Sequence, residues 1–223
     1  MFLAIEDFAA KIPKELLERS GKVFYSGRKA FSTDCSIYML GINPGGSPDE
    51  DAGDTVKSHT VEVLHKFPGD WSAYRDESWE GAAPGTYGMA PRVLHLLHRL
   101  GLNPGSVPAS NLVFARSRRE ADIYHGDMRA MADACWPFHE AVIETLRPRV
   151  VLCFGKTAGS YVRQQLGANR LIGEFLEHNN RQWRSQAFAS DRGVKVVVGA
   201  HPSIANWCSA ATDITPLVQE ALQ

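Results

Sequence analysis

Apolar residues at Ile5, Phe8, Ile12 and Leu16 recur every three to four positions, the spacing of one helix face, and predict an amphipathic helix over residues 4–19. The next signal is a strand over residues 35–41. Val93, Leu94, Leu96, Leu97 and Leu100 return to the helical period, in a helix entered near Pro91 and stopped by Gly101. A second strand covers residues 110–114. A long helix follows over about 127–146, with Met128, Met131, Cys135, Phe138, Val142 and Leu146 facing inward and Pro148 beyond its end. Residues 150–154 are apolar without interruption, as befits a strand covered on both faces. Gly155 opens a helix to about residue 166. One strand is expected around 183–188, turned by Asp191-Arg192-Gly193. A further strand at 194–199 runs up to His201, and a short helix at about 213–222 closes the pattern. Strands alternating with helices predict an α/β fold: a three-layer αβα sandwich around a mainly parallel four-stranded sheet.

Residues 46–84 break this regularity. The stretch is rich in Gly, Pro and Asp, carries Trp71, Tyr74 and Trp79, and shows no sustained period, so it reads as a long irregular insert of the functional or mobile kind. With 223 residues, 44% hydrophobic and 22% charged, the whole of 1–223 is expected to form one domain with a sizeable core. The longest apolar run, 194–200, is far too short to cross a bilayer, and the N-terminus lacks a basic segment followed by an apolar core; a soluble, cytoplasmic monomer that engages no membrane is expected. A net charge of −1 gives no global attraction to nucleic acid but leaves room for a local basic face.

Two runs carry the candidate chemistry: Gly41-Ile42-Asn43-Pro44-Gly45 after the first strand and His201-Pro202-Ser203 after the strand at 194–199. Open α/β sheets bind ligands at the carboxyl ends of their strands, so Asn43 and His201 converge on one pocket if the sheet is parallel. Cys35, Cys135, Cys153 and Cys208 include no close pair, which argues against a zinc knuckle or disulfide framework and favours small buried residues. His95 and His98 lie three apart without a further ligand at a recognisable spacing, and read as a solvated helix face. A dinucleotide-binding loop would want Gly-x-Gly-x-x-Gly opening a helix and an acidic residue ending the second strand; neither is present.

An ordered series extends beyond the two runs. Gly85-Thr86-Tyr87-Gly88 leads into the leucine-rich helix, Asn111-Leu112-Val113 lies on the second strand, and Arg147 to Gly155 spans the third. Together with the two runs, this series resembles the uracil-DNA glycosylase superfamily over most of residues 38–203. The resemblance implies hydrolysis of the N-glycosidic bond of uracil, or of a related deaminated or mismatched base, in DNA, as in base excision repair, with no metal or cofactor. Such a reaction needs a base extruded from the stack, a pocket reading its Watson–Crick edge, a positioned water and donors for the charge on the departing base. Asn43 is the candidate for holding the water. An amide takes no proton, so catalysis through it rests on positioning and electrostatics; the alternative is an Asx turn before Pro44. His201 is the candidate donor to the base oxygen that gains charge.

Asn111 matches the family's base reader, an amide offering both donor and acceptor, with Ile42 beside it in the base pocket. Tyr87 falls where relatives place the aromatic that stacks on the flipped base, but Phe67, Trp71 and Trp79 are alternatives. Gly45, Ser47 and Ser203 are candidates for phosphate contact, as is Lys156 at a helix start; Arg116, Arg118 and Arg119 form the densest basic cluster. Relatives push an apolar side chain into the duplex after the histidine, for which Ile204 and Trp207 are both candidates. One branch carries an iron–sulfur cluster on cysteines paired near the N-terminus; this chain has no such pair, and no cluster is expected. A second reading of another class, a DNA- or nucleotide-binding member of the fold with little or no glycosylase activity, stays open, because fold does not settle function.

Overall fold

The computed structural model describes residues 4–32, 34–119, 121–123, 127–191 and 193–223; Arg192, of the expected turn, lies outside the described residues. The strands are β1 (Ile37–Gly41), β2 (Ala109–Asn111), β3 (Val150–Phe154), β4 (Arg170–Leu176), β5 (Arg184–Ala189) and β6 (Lys195–Gly199). Among the described residues they form one six-stranded sheet in the order β2-β1-β3-β6-β5-β4. The first four in this order are parallel; β5 and β4 add an antiparallel hairpin at one edge. The sheet thus has six strands rather than the expected four. β4 escapes the apolar pattern because it is the outer strand of a two-strand edge, and most of its residues face water.

Period-two alternation splits the sheet between two cores. Tyr38 and Leu40 of β1 and Val151 and Cys153 of β3 enter one core, built with Phe8, Phe24, Phe31 and Phe138. Ile37 and Met39, with Val150, Leu152 and Phe154, enter the other, which holds Leu96, Leu97, Trp207 and Leu217. The first is covered by α1 (Ile5–Ala9), α2 (Val56–His65), α5 (Met128–Leu146) and α6 (Lys156–Leu166); the second by α3 (Ala73–Asp76), α4 (Ala90–Arg99) and α7 (Thr215–Ala221). This is the three-layer αβα arrangement.

Two helical expectations change. The first helix ends at Ala9 instead of continuing to residue 19, because Pro13 has no N–H to donate and its ring excludes a continuing turn; Ile12 and Leu16 are still buried, Leu16 on a 3₁₀ turn. The 46–84 stretch is not without structure: α2 and α3 lie in it. The buried face of α2 is Val56, His59, Thr60 and Val63, at helical spacing but with polar residues at two of the four positions. Thr55 caps it, accepting from the Ser58 N–H at 3.0 Å. No helix among the described residues is long and apolar enough to cross a membrane.

The connections fix where a ligand fits. From β1 the chain passes α2 on the first core and α4 on the second before reaching β2, on one side of β1; β3, on the other side, leads through α6 on the first core and onward to β6. β1 thus connects onward to one side and β3 to the other, and where neighbouring strands part in this way an open sheet leaves a crevice beyond their carboxyl ends.

Candidate functional site

Four parallel strands end at this crevice, and three deliver a polar side chain: Asn111 closes β2, Asn43 follows β1 by two residues, and His201 follows β6 by two. Since β1 and β3 separate β2 from β6, the outer two stand three strand spacings apart, roughly 14 Å at ~4.8 Å per spacing, which spans a base and its sugar. Ile42 is half-buried against the first core, and its carbonyl accepts from the Val113 N–H at 2.9 Å, so the loop leaves β1 still tied to the chain beyond β2.

Asn43 has a defined amide orientation. Its Nδ2 donates to the Pro44 carbonyl (2.8 Å), the Ser117 carbonyl (3.3 Å) and Ser117 Oγ (2.9 Å). Ser117 Oγ gives its own proton to the Arg119 carbonyl at 2.8 Å and so acts as an acceptor toward Asn43. With acceptors gathered on the NH₂ side, Oδ1 stands on the other side of the amide. The loop is thus held through Nδ2, whereas the expected Asx turn and the holding of a water would both use Oδ1.

Asn111 is buried, and its Nδ2 has no hydrogen-bond partner among the described residues, an arrangement that costs roughly 1–3 kcal/mol unless something arrives to accept. Its place depends on Gly41, its register partner: a Cβ on Gly41 would overlap Asn111 Oδ1, with Asn111 Cγ the next nearest atom at 3.3 Å. The backbone around Asn111 is held by His139 of α5. The His139 Nε2–H donates to the Leu112 carbonyl (3.2 Å), while Nδ1 accepts from the Tyr38 hydroxyl (2.8 Å); burial holds its pKa down at about 4, the neutral state this pairing requires.

Residues 20–26 run antiparallel to the chain around β2, through Lys22 N–H to Phe114 O (3.0 Å) and Tyr25 N–H to Ala109 O (2.9 Å). This brings the Tyr25 side chain beside the Asn111 amide, though not in a geometry that satisfies Nδ2. Burial raises the Tyr25 pKa, against the opposing influence of Lys22, which is ion-paired with Glu77. A chain of ring contacts runs from Tyr25 to the buried Tyr74 (6.0 Å between centroids), from Tyr74 to the buried Phe154 (6.5 Å), and from Phe154 to His201 (6.3 Å). The 46–84 segment thus supplies Tyr74 between the Asn111 and His201 ends, and Glu77 beside Lys22. None of Lys22, Tyr25, Tyr74 and Glu77 is signalled by a motif; their shared location depends on tertiary pairing.

His201 is set by its own loop. Nδ1 accepts from the Ser203 N–H (3.1 Å) and lies 2.7 Å from Ser203 Oγ, which places the proton of the neutral ring on Nε2. Ser203, expected at phosphate, instead has both its amide and its hydroxyl turned onto the imidazole. Arg92 of α4 donates to the Pro202 carbonyl, docking α4 against this loop. Gly155, at φ 93°, lets β3 turn into α6 next to the ring: a Cβ there would lie 3.6 Å from His201 Cδ2 on a backbone that L-residues rarely adopt.

The two open choices among apolar candidates are narrowed by burial. Ile204 is 56% exposed, whereas Trp207 is fully buried and donates its indole N–H to the Ala200 carbonyl at 3.0 Å, so Trp207 is a core residue. Tyr87, 49% exposed, immediately precedes α4. Phe67 and Trp71 instead stack on each other at 4.6 Å, and Trp79 packs against Tyr74 at 5.8 Å.

The basic cluster is corrected by the structure. The Arg116 side chain is only 8% exposed, ion-paired with Asp54 and Asp51 and donating to the Gly45 carbonyl (2.7 Å) and Ser20 Oγ (3.0 Å). It is an internal brace, with its donors already committed. Ser47 is buried too, accepting from the Glu50 N–H and from Arg118, which also pairs with Glu50. Gly45 is exposed with open space around its Cα, Lys156 is exposed at the first turn of α6, and Arg119 is exposed beyond Ser117. His98 is exposed as expected, but His95 is half-buried, its Nε2 3.7 Å from the buried Asp213. Among the described residues no three His, Cys, Asp or Glu side chains gather as a metal site. Cys135 and Cys153 are buried, Cys35 is half-buried and Cys208 is exposed.

Compared with known families, residues 28–221 match the model of the family described as Uracil DNA glycosylase superfamily. No protein in the curated collection compared with it matches the chain.

Proposed function

The chain belongs to the uracil DNA glycosylase superfamily, a family that acts on DNA, and from that premise we propose that it excises uracil, or a related deaminated or mismatched base, by hydrolysing the N-glycosidic bond. The observation that carries this reading is the buried Asn111 Nδ2, without a partner among the described residues, at the same edge of the parallel strands that Asn43 and His201 follow. A site with an idle donor suits a ligand that brings an acceptor, and a uracil carbonyl is one.

In this reading the extruded base sets its edge on Asn111, with Ile42 beside it and Tyr87 closing from the α4 side. Asn43 Oδ1 accepts a hydrogen bond from a water and aims its oxygen at the sugar C1′. As the C1′–N1 bond breaks, its electron pair leaves with the base, the sugar gains cationic character, and the His201 Nε2–H donates to the carbonyl oxygen that takes up charge. The water oxygen then bonds C1′, and its proton passes to solvent, from which the base anion is reprotonated. Neither Asn43 nor His201 needs to change protonation state. Gly45, Lys156 and Arg119 are the phosphate contacts in this reading, and Ile204 fills the gap in the stack.

Uracil-containing oligonucleotides, single-stranded and duplex, incubated without added metal and scored for abasic sites, test the reading. Asn43→Ala and His201→Ala are each expected to slow release by about 10²-fold or more, the scale of one lost transition-state donor or one misplaced reactant, with the fold retained. No release above buffer from uracil, hypoxanthine or xanthine opposite any partner base would refute it.

A further inference from the structure

The hairpin of β4 and β5 has no part in the crevice described so far, yet its turn reaches the loop that carries Ile204. Arg181 Nη1 donates to the Ile204 carbonyl at 2.7 Å. Its Nη2 lies 3.1 Å from Glu177 Oε2, and its guanidinium sits 4.3 Å from the centre of the Trp183 ring. Glu177 is itself held: its side chain is 1% exposed, and Asn179 Nδ2 donates to its Oε2 at 3.0 Å. Asn179 Oδ1 in turn accepts from the Arg181 and Gln182 N–H groups, at 2.9 and 3.2 Å. The turn therefore fixes both ends of the Arg181 side chain before it grips Ile204.

Resting on the glycosylase reading above, we propose that Arg181 is a positioning residue for duplex substrates, holding Ile204 outward as a plug for the vacated place in the base stack. An exposed isoleucine on an unsupported loop would fold down onto the nearest apolar surface, and the guanidinium that grips the Ile204 carbonyl also covers the ring of Trp183, which is 37% exposed. It ties the Ile204 backbone and leaves the Ile204 side chain 56% exposed. Inside, the loop is tied by the Ile204 N–H to the His201 carbonyl (3.0 Å) and by Arg92 to Pro202. A loop fixed from both sides delivers an apolar side chain into the stack without reordering on binding. Such a plug compensates lost stacking and pairing in a duplex and has little to replace in a single strand.

Initial rates of uracil release on single-stranded and duplex oligonucleotides of one sequence are measured for wild type, Arg181→Ala, Arg181→Lys and Ile204→Ala. Arg181→Ala and Ile204→Ala are expected to lower the duplex rate by about tenfold or more, with the single-strand rate of Arg181→Ala within about twofold of wild type, since each tenfold corresponds to ~1.4 kcal/mol of a stacking penalty of a few kcal/mol. Arg181→Lys should fall between, because an ammonium reaches the carbonyl but cannot also span Glu177 as a planar fork. Equal loss on both substrates, the signature of a merely structural arginine, overturns the proposal. So does an unchanged duplex rate in Arg181→Ala, or a wild type active on single strands alone; each of these leaves the glycosylase reading standing. Wild type silent on both substrates overturns the two together.

Discussion

Gly41→Ala offers a narrow perturbation of the proposed base reader. Gly41 is not among the residues at positive φ, so alanine takes its backbone without strain, and the only atoms near the new Cβ belong to the Asn111 amide. The native state loses the present Asn111 rotamer, at about 0.5–1.5 kcal/mol for an off-rotamer side chain. The unfolded chain loses the freedom of a glycine, which returns about 0.4–1 kcal/mol to stability. The two nearly cancel, and the thermal midpoint should move by no more than about 2–4 °C, the shift expected for 1 kcal/mol in a chain of this size. Activity should not be spared in the same way. Displacing the amide by an ångström or more should cost about 10²-fold in single-turnover base release. The decisive measurement is the double-mutant cycle with Asn111→Ala: if Gly41→Ala acts only by moving this amide, the double variant is no slower than Asn111→Ala alone. Additive losses, or a wild-type rate in Gly41→Ala, would refute the reasoning.

Acid should destabilise the protein through two buried histidines. Burial, with Lys22 and Arg116 nearby, holds His59 at about 3, and burial holds His139 at about 4, both below the ~6.5 of an unfolded histidine. The unfolded chain thus binds protons first; the stability from keeping both rings neutral is intact above that value and is lost as pH falls toward 4 and then 3, with a slope of up to ~2.7 kcal/mol per pH unit for two protons. Urea unfolding midpoints between pH 7 and 4 test this. His59→Phe should flatten the acid limb and be neutral or stabilising at pH 7, because both ring nitrogens lack partners among the described residues and the site already packs against Phe67 and Trp71; a large loss of stability at pH 7 would count against the packing argument. Lys156→Ala should reduce the salt slope of DNA binding by about one, whereas Arg116→Ala should lower thermal stability and leave that slope unchanged. A slope that falls with Arg116 instead would return it to the phosphate surface.

What was legible in the sequence follows from where water is. The central strands β1, β3 and β6 lie between two helical layers, so their residues are selected for apolarity and their ends stand out, which is why Asn43 and His201 can be placed at strand ends from the text alone. α2 was hidden because half of its buried face is His59 and Thr60, and β4 because an edge strand need not be apolar; the spacing of Val56, His59, Thr60 and Val63 would have revealed α2 had polar residues been admitted to the pattern. The basic cluster misleads for the opposite reason. Arg116, Arg118 and Arg119 are adjacent in sequence, but Asp51 and Asp54 fold back from the 46–84 segment to pair with Arg116, and no local pattern records which charges meet. The same segment sends Tyr74 into the core against Phe154 and Glu77 to Lys22, so the part of the chain least regular in sequence supports the strand ends that carry the candidate residues. Its aromatic richness was the available signal, and its meaning is physical: Phe67 and Trp71 stack on each other against the buried His59, and Tyr74 joins Phe154 of β3, so rings spaced without a regular period bury the segment where a helical or strand pattern would otherwise be needed.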